Sequence, residues 1–441
     1  MMSMVMYMLG VFFIFYLFHK KLVLKMLGNL MFLLSFIMLF NFGYNKDWSM
    51  VYYWMGFDSF SFILVLLSFW ILGLMFFVSH VNQPFFYGFI LLFLMLSLMI
   101  SFSSMNYFIF YLFFEVSLVP IFILILGWGY QSERLSAALY LMFYCLFGSL
   151  PLLIVIFLFF DIFGTLHYEL ISWSLFSNNF IYYFMIFGFL VKLPMFFFHS
   201  WLPKAHVESP IAGSMILAGV LLKLGGYGLY RSMMIMMKSG VEMNFIFISI
   251  SLLGVIYLSL VCLRQIDMKI LVAYSSVVHM GIMLMSMMTM TIWGFYSGLI
   301  MMVGHGLCSS ALFVIVNYFY ERTHSRNIMI NKGMFYLLPS LCMWWFIFCS
   351  INMSAPISLN LVSEVMAVCC LLSWSKYLMI FLMLGVFFSS IYSIYLFAYS
   401  FHGKSSSLLL KIYPNNINNF IVMLLHWIPL NFLILKMELF L

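Results

Sequence analysis

The chain has 441 residues, of which 66% are hydrophobic, 21% aromatic and only 7% charged, with a formal net charge of +7. A soluble fold of this length needs far more polar material to cover its core, so a soluble globular protein is excluded and lipid must be the main solvent. The apolar runs are long and unbroken, which excludes the short alternating strands of a β-barrel and leaves an all-α polytopic membrane protein.

The first run, MMSMVMYMLGVFFIFYLF, has no basic residue before it and no small-residue cleavage site, so it reads as a spanning helix rather than a removed signal peptide. Hydropathy predicts about fourteen transmembrane helices, over 1–18, 22–40, 58–79, 85–103, 106–127, 135–160, 180–199, 211–236, 243–262, 269–290, 292–319, 335–373, 377–401 and 418–435. Helix 7 contains Pro194, and helix 12 is too long for one straight span. The stretch SINMSAPISLN within helix 12 carries Pro356 among polar residues, and it predicts two half-helices joined by an unwound segment.

Loop charges test this count. With connections labelled alternately from the N-terminus as side A, side B holds Lys20, Lys21, Lys25, Arg134, Lys204, Arg264, Lys269, Arg322, Arg326, Lys332, Lys404 and Lys411. Side A holds Lys46, Arg231, Lys238, Lys376 and Lys436. The positive-inside rule makes side B the matrix-like or cytoplasm-like side and sends both termini to the opposite compartment.

Two basic residues fit neither side. Lys192 sits deep in helix 7 and Lys223 in ILAGVLLKLGGYGLY of helix 8. Two carboxylates are equally misplaced: Glu115, five residues before Pro120 in helix 5, and Glu364, in the second half of helix 12. An ionisable group at membrane depth costs roughly 2.5–3.5 kcal/mol on insertion scales, so four of them mark function. Pro194 has no N–H, so the carbonyl of Leu190 loses its helical partner and is left to receive an ammonium. A lysine balanced between such a carbonyl and the cost of burial can load and release a proton. His279, in AYSSVVHMGIML, and His305, in MVGHGLCSSALF, add imidazoles able to relay protons near neutral pH. Plainer readings stand beside this one: a static Glu115–Lys192 pair, a snorkelling Lys223, hydrogen-bonded packing histidines, and His199 and His206 as interfacial residues.

The seven cysteines are scattered and form no CxxC pattern, which argues against zinc, iron–sulfur clusters and a disulfide framework. Gly127, Gly129 and the glycines of KLGGYG follow no strand, so they lack the context of a nucleotide site. No feature of the chain points to NADH, flavin or haem. The Met and Phe excess, 41 and 54 residues, suits a compact AT-rich organellar genome.

VKLPMFFFHSWLPKAHVESPIAGSMILAGVLLKLGGYGLYR, LRQIDMKILVAYSSVVHMG, FFEVSLVP and GYQSERLSAALYLMFY resemble the signatures of the antiporter-like proton-channel subunits of respiratory complex I. The resemblance covers helices 3 to 13. It implies two inverted five-helix repeats, 85–236 (helices 4–8) and 243–401 (helices 9–13), with broken helices 7 and 12, after N-terminal helices in 1–84 and before a C-terminal helix in 402–441. It also implies proton translocation, with Glu115 paired to Lys192, Lys223 as the central lysine, His279 and His305 continuing the polar axis and Glu364 as the terminal carboxylate. No cofactor is expected on this chain; NADH, FMN, iron–sulfur clusters and ubiquinone are expected on other subunits. The implied partners are other membrane-arm subunits, among them antiporter-like neighbours, and membrane lipids, with no nucleic acid. The implied location is the mitochondrial inner membrane, with both termini facing the intermembrane space. Two positions depart from the pattern: Phe197, where relatives often have proline, and Lys204, where many have aspartate. Two further readings stay open, a subunit of a multisubunit sodium/proton antiporter and a membrane scaffold without a proton path.

Overall fold

Lipid offers no hydrogen bonds, so each spanning segment must satisfy its backbone internally, and helices result. The computed structural model describes residues 2–17, 22–41, 48–79, 83–172, 177–404 and 416–440. Lys20, Lys21, Lys46 and Lys411, four of the loop cations used above, lie outside the described residues. In chain order the elements are α1 (Met2–Leu17), α2 (Leu22–Asn41), β1 (Ser49–Tyr52), β2 (Met55–Phe57), α3 (Ser59–Val78), α4 (Pro84–Ser103), α5 (Tyr107–Val116), α6 (Leu118–Trp128), α7 (Arg134–Phe163), α8 (Tyr168–Ser172), α9 (Asn179–Lys192) and α10 (Trp201–Glu208). They continue as α11 (Ile211–Ile216), a π-helical turn (Leu217–Leu221), α12 (Leu222–Ile235), α13 (Met237–Cys262), α14 (Met268–Met288), α15 (Ile292–Thr323), α16 (Met334–Leu337), α17 (Pro339–Asn352), α18 (Leu359–Trp374), α19 (Met379–Phe401) and α20 (Ile417–Phe432). Among the described residues, eleven helical segments are long and apolar enough to cross a membrane. Shorter apolar helices, among them α9, α17 and α18, complete the set.

Two packed units divide the chain. One comprises Met1–Lys192 and Glu208–Glu242, the other Leu193–Val207 and Met243–Leu439. In the first unit, glycines let helices approach closely: a Cβ on Gly188 of α9 would stand 2.9 Å from the carbonyl oxygen of Gly148 in α7. Asp58 starts α3 with a reciprocal cap, its carboxylate accepting from Ser61 N–H and its own N–H donating to Ser61 Oγ, both at 2.9 Å. A small antiparallel hairpin, β1 with β2, precedes that cap and was not foreseen in an all-helical reading. In the second unit α15 is the central helix. Its most apolar window is wholly buried, and it is apolar all round. Serines within the spans turn their hydroxyls onto carbonyls one turn back, as Ser68, Ser101 and Ser276 do at 2.6–2.8 Å, so their polarity costs little in lipid.

The chain unwinds where the prolines predict. After Lys192 the helix gives way to turns until Trp201, and after Asn352 it is interrupted until Leu359. Both interruptions use left-handed backbone at non-glycine residues: Phe197 (φ 79°) in the first, Ser354 (φ 61°) and Ile357 (φ 67°) in the second. Such a conformation costs about 1–2 kcal/mol for an L-residue, and strain of this kind gathers at functional breaks. Phe197 now has a physical reason: proline is confined to φ near −65°, so the backbone adopted here is closed to it.

Two irregularities were not anticipated. Helix 5 runs as one span, Tyr107–Trp128, as expected, but is irregular at Ser117 between α5 and α6, where the backbone stays helical (φ −61°, ψ −21°). Helix 8 carries the π-helical turn immediately before Leu222 and Lys223.

Candidate functional site

In the first unit Lys192 and Lys223 each sit beside a helix irregularity. Lys192 is the last residue of α9, and it is buried. Its Nζ donates to the carbonyl of Phe114, 2.7 Å away, and lies 3.1 Å above the centre of the Phe114 ring. The same carbonyl accepts from Ser117 Oγ at 2.8 Å. The ammonium therefore rests on main chain at the irregular turn between α5 and α6, one residue before Glu115. It is not within ion-pair distance of the Glu115 carboxylate, whose Oε1 is buried with no hydrogen-bond partner among the described residues. The two groups are near enough to interact electrostatically, and Ser149 and Tyr111 stand beside the carboxylate.

Lys223 is fully buried in α12. Its Nζ donates to the Ala218 carbonyl at 2.5 Å. The π-helical turn explains this contact: i→i+5 winding opens the carbonyl ladder and brings the oxygen five residues back within reach of the side chain. Close packing holds α12 in place, because a Cβ on Gly228 would collide with the Phe189 ring of α9.

The second unit joins side chain to side chain. His279 of α14 has Nδ1 3.2 Å from Oε1 of Glu364 in α18, a close approach without hydrogen-bond geometry, and its Nε2 is hydrogen-bonded to the Tyr392 hydroxyl of α19 at 3.2 Å. The His305 ring of α15 lies 5.7 Å from that of His279, centre to centre. All four are buried. Asn360, one turn before Glu364, spans the break in helix 12 by donating from Nδ2 to the Ile351 carbonyl at 3.2 Å. Its Oδ1 occupies the space a Cβ on Gly304 would need, next to His305. A small, mostly apolar cleft reaches Glu364. His199 and His206 are ring-packed: His199 stacks on Phe196, and His206 lies buried on Phe313 at 4.5 Å between ring centres.

All six residues singled out in the sequence thus have defined surroundings: Glu115, Lys192 and Lys223 in the first unit, His279, His305 and Glu364 in the second. Tyr392 and Asn360 escaped sequence reasoning, because an uncharged side chain in an apolar run gives no signal. Arg231 and Asp58 escaped it for another reason. Arg231 counted as a loop cation, yet it is buried within α12 with Nη2 2.7 Å from Asp58 Oδ2. Among the described residues no cluster of three or more His, Cys, Asp or Glu side chains is set to hold a metal ion.

A helical membrane protein with buried amines, imidazoles and carboxylates at interrupted helices falls in the antiporter-like class of membrane proteins. The family described as NADH:quinone oxidoreductase/Mrp antiporter, TM, matches residues 104–390. A second family, the amino terminus of NADH-ubiquinone oxidoreductase chain 4, matches residues 1–102. The chain is 49% identical to NADH-ubiquinone oxidoreductase chain 4 of Ceratitis capitata, with 94% of each chain covered, and 50% identical to that of Aedes aegypti, with 96% of each covered. It is 39% identical to the protein of the same name from Squalus acanthias over 92% of each. A chain of respiratory complex I from Thermus thermophilus with bound NADH shares the fold, with a TM-score of 0.86 and 22% identity over 93% of this chain and 90% of that one. The chain belongs to the NADH-ubiquinone oxidoreductase chain 4 family.

Proposed function

We propose that this chain, a proton-translocating membrane-arm subunit of NADH:ubiquinone oxidoreductase, moves protons through Glu115, Lys192, Lys223, His279, His305 and Glu364. The observation that carries this reading is the Lys192 ammonium, buried and held by a main-chain carbonyl beside Glu115 rather than by the carboxylate itself. A static ion pair would close that gap. A carrier needs two arrangements, and a lysine resting on the Phe114 carbonyl has a second partner one residue away.

In this mechanism quinone reduction elsewhere in the complex changes the charge along the membrane arm. Closing the Glu115–Lys192 pair holds a proton on the amine. Opening it weakens that hold, and the proton passes by way of Lys223, the histidines and Glu364. The pair titrates as a coupled unit. Moving one charge against about 100 mV requires roughly 2.3 kcal/mol, so the two states of the pair must differ by at least that much.

Fourteen crossings follow when the halves of helices 7 and 12 are each counted as one span. Residues 85–236 and 243–401 are then the two inverted repeats, with 1–84 and 402–441 flanking them. The protein is a multi-pass protein of the mitochondrial inner membrane, and the loop cations orient both termini toward the intermembrane space. Its partners are other subunits of the complex, antiporter-like neighbours among them. NADH, FMN, iron–sulfur clusters and ubiquinone reside on those other subunits. The match to the amino terminus of chain 4 favours this assignment over a sodium/proton antiporter.

The test is Lys192→Met in the assembled complex, reconstituted in sealed vesicles. Protons pumped per NADH should fall by the share of this subunit. An unchanged yield refutes the proposal.

A further inference from the structure

The break in helix 12 is held from two directions. Between Asn352 and Leu359 the backbone leaves the helix, with left-handed residues at Ser354 and Ile357, and the regular ladder of carbonyl hydrogen bonds is lost. Lipid supplies no donor, so side chains must. Two come from helix 12 itself: Asn360 Nδ2 donates to the Ile351 carbonyl at 3.2 Å, and Ser358 Oγ donates to that of Ala355 at 2.6 Å. A third comes from the C-terminal helix. Asn431 of α20 donates from Nδ2 to the Ile357 carbonyl at 3.0 Å, and its Oδ1 accepts from the Trp427 indole N–H at 2.8 Å. An indole N–H can only donate, so Trp427 draws the amide oxygen to its own side and aims the NH2 group at the break.

Trp427 and Asn431 are four residues apart and share one stripe of α20. Val422, His426 and Leu430 form a neighbouring buried stripe, and α20 packs on the central helix α15. Before Asn431, α20 meets the first half of helix 12. The Trp427 ring stands edge-on to that of Trp344 in α17, 6.4 Å between centres, and the His426 ring edge-on to that of Phe348 at 6.5 Å. Past Asn431 the chain continues as a 3₁₀ helix (Leu433–Leu439), which packs on α18, the second half. The C-terminal helix therefore runs beside both halves, and Asn431 falls where they part. An amide is not what lipid insertion selects at such a position, since an apolar residue inserts more favourably. Glu364 follows Ile357 by about two helical turns, so the direction in which α18 leaves the break decides where the carboxylate stands against His279.

We propose that Asn431 is a positioning residue for Glu364. By tying the Ile357 carbonyl to α20, it sets the direction of α18 and keeps the carboxylate beside His279. This rests on the assignment of Glu364 as a proton station.

The test uses the whole complex and two readings: protons pumped per NADH in sealed vesicles, and hydrogen–deuterium exchange of the segment from Ile351 to Glu364 in mild detergent. Asn431→Leu keeps the bulk and removes both hydrogen bonds. It should speed exchange at the break and lower protons per NADH toward the value of Glu364→Gln, with a smaller loss of NADH oxidation. Trp427→Phe keeps a ring against Trp344 and removes the N–H that orients the amide, so it should move both readings the same way by less. A residue that acts through Glu364 has nothing left to position once the carboxylate is gone. The double variant Asn431→Leu, Glu364→Gln should therefore pump no less than Glu364→Gln alone. A merely structural Asn431 predicts that assembly, NADH oxidation and proton yield fall together and that the double variant loses more than either single one. That result overturns the proposal, and so does unchanged exchange or an unchanged yield in Asn431→Leu. Should Asn431→Leu not assemble, Trp427→Phe decides, and parent-like exchange or yield there contradicts the tie. A full yield in Glu364→Gln refutes the proton station itself, whereas a low yield in Glu364→Gln beside a full yield in Asn431→Leu refutes the positioning role alone.

Discussion

The two units hold their buried ionisable groups by different means. In the first, the two lysines buried within spans each donate to a main-chain carbonyl at an irregular turn: Phe114 beside Ser117 for Lys192, Ala218 at a π-helical turn for Lys223. In the second, His279 touches Glu364 and Tyr392 directly across three helices, and α14 and α15, which carry the histidines, run without interruption. A carbonyl clamp suits an amine that must be cationic in lipid, since the oxygen supplies partial charge without a counter-ion to lock it. A side-chain relay suits an imidazole, which can accept at one nitrogen while donating at the other.

The largest effect that bears on this contrast is expected from Lys192→Met, which empties the first clamp and should remove proton transfer through the subunit, read as protons per NADH. Next comes Gly228→Val: the added side chain enters the space of the Phe189 ring and should cost about 1–3 kcal/mol by overpacking, seen as reduced assembly or a lower melting temperature of the complex. Asn360→Leu strands the Ile351 carbonyl at the break of helix 12 and should cost about 1–3 kcal/mol, with proton yield falling more than NADH oxidation because Glu364 lies one turn away. Tyr392→Phe deletes one hydrogen bond to His279, worth about 0.5–1.5 kcal/mol, and should slow pumping by up to roughly tenfold while the complex assembles normally. The smallest effect belongs to Ile357→Gly. It relieves a left-handed, 77% exposed residue of about 1 kcal/mol of strain, offset by the greater chain entropy of glycine, so stability should change little. A large loss there would mean that the side chain itself is needed at the break.

Much of this was legible in the sequence because lipid makes errors expensive. A charge in an apolar run stands out, and so does a proline beside it; Lys192 with Pro194 and the polar stretch around Pro356 located both breaks. The π-helical turn before Lys223 had only a weak signal, the glycines of LAGVLLKLGGYG, because helix winding responds to packing around it. The irregular turn at Ser117 has Pro120 as its marker, since a proline removes one helical N–H without ending the span. Arg231 was misread because charge counting assigns a residue near a helix end to water, whereas Asp58 and four aromatic rings make a buried site for it. Tyr392 was invisible, since a tyrosine among apolar neighbours looks like any other packing residue until His279 is found beside it.

The central claim is that carbonyl-clamped lysines and the histidine–carboxylate relay are stations of one proton path. The most direct test compares Lys192→Met, Glu364→Gln and the double variant in sealed vesicles, measuring protons per NADH for each. Stations in series predict that each single variant lowers the yield to the same value and that the double variant goes no lower. Additive losses, or a full yield in either single variant, would contradict the account.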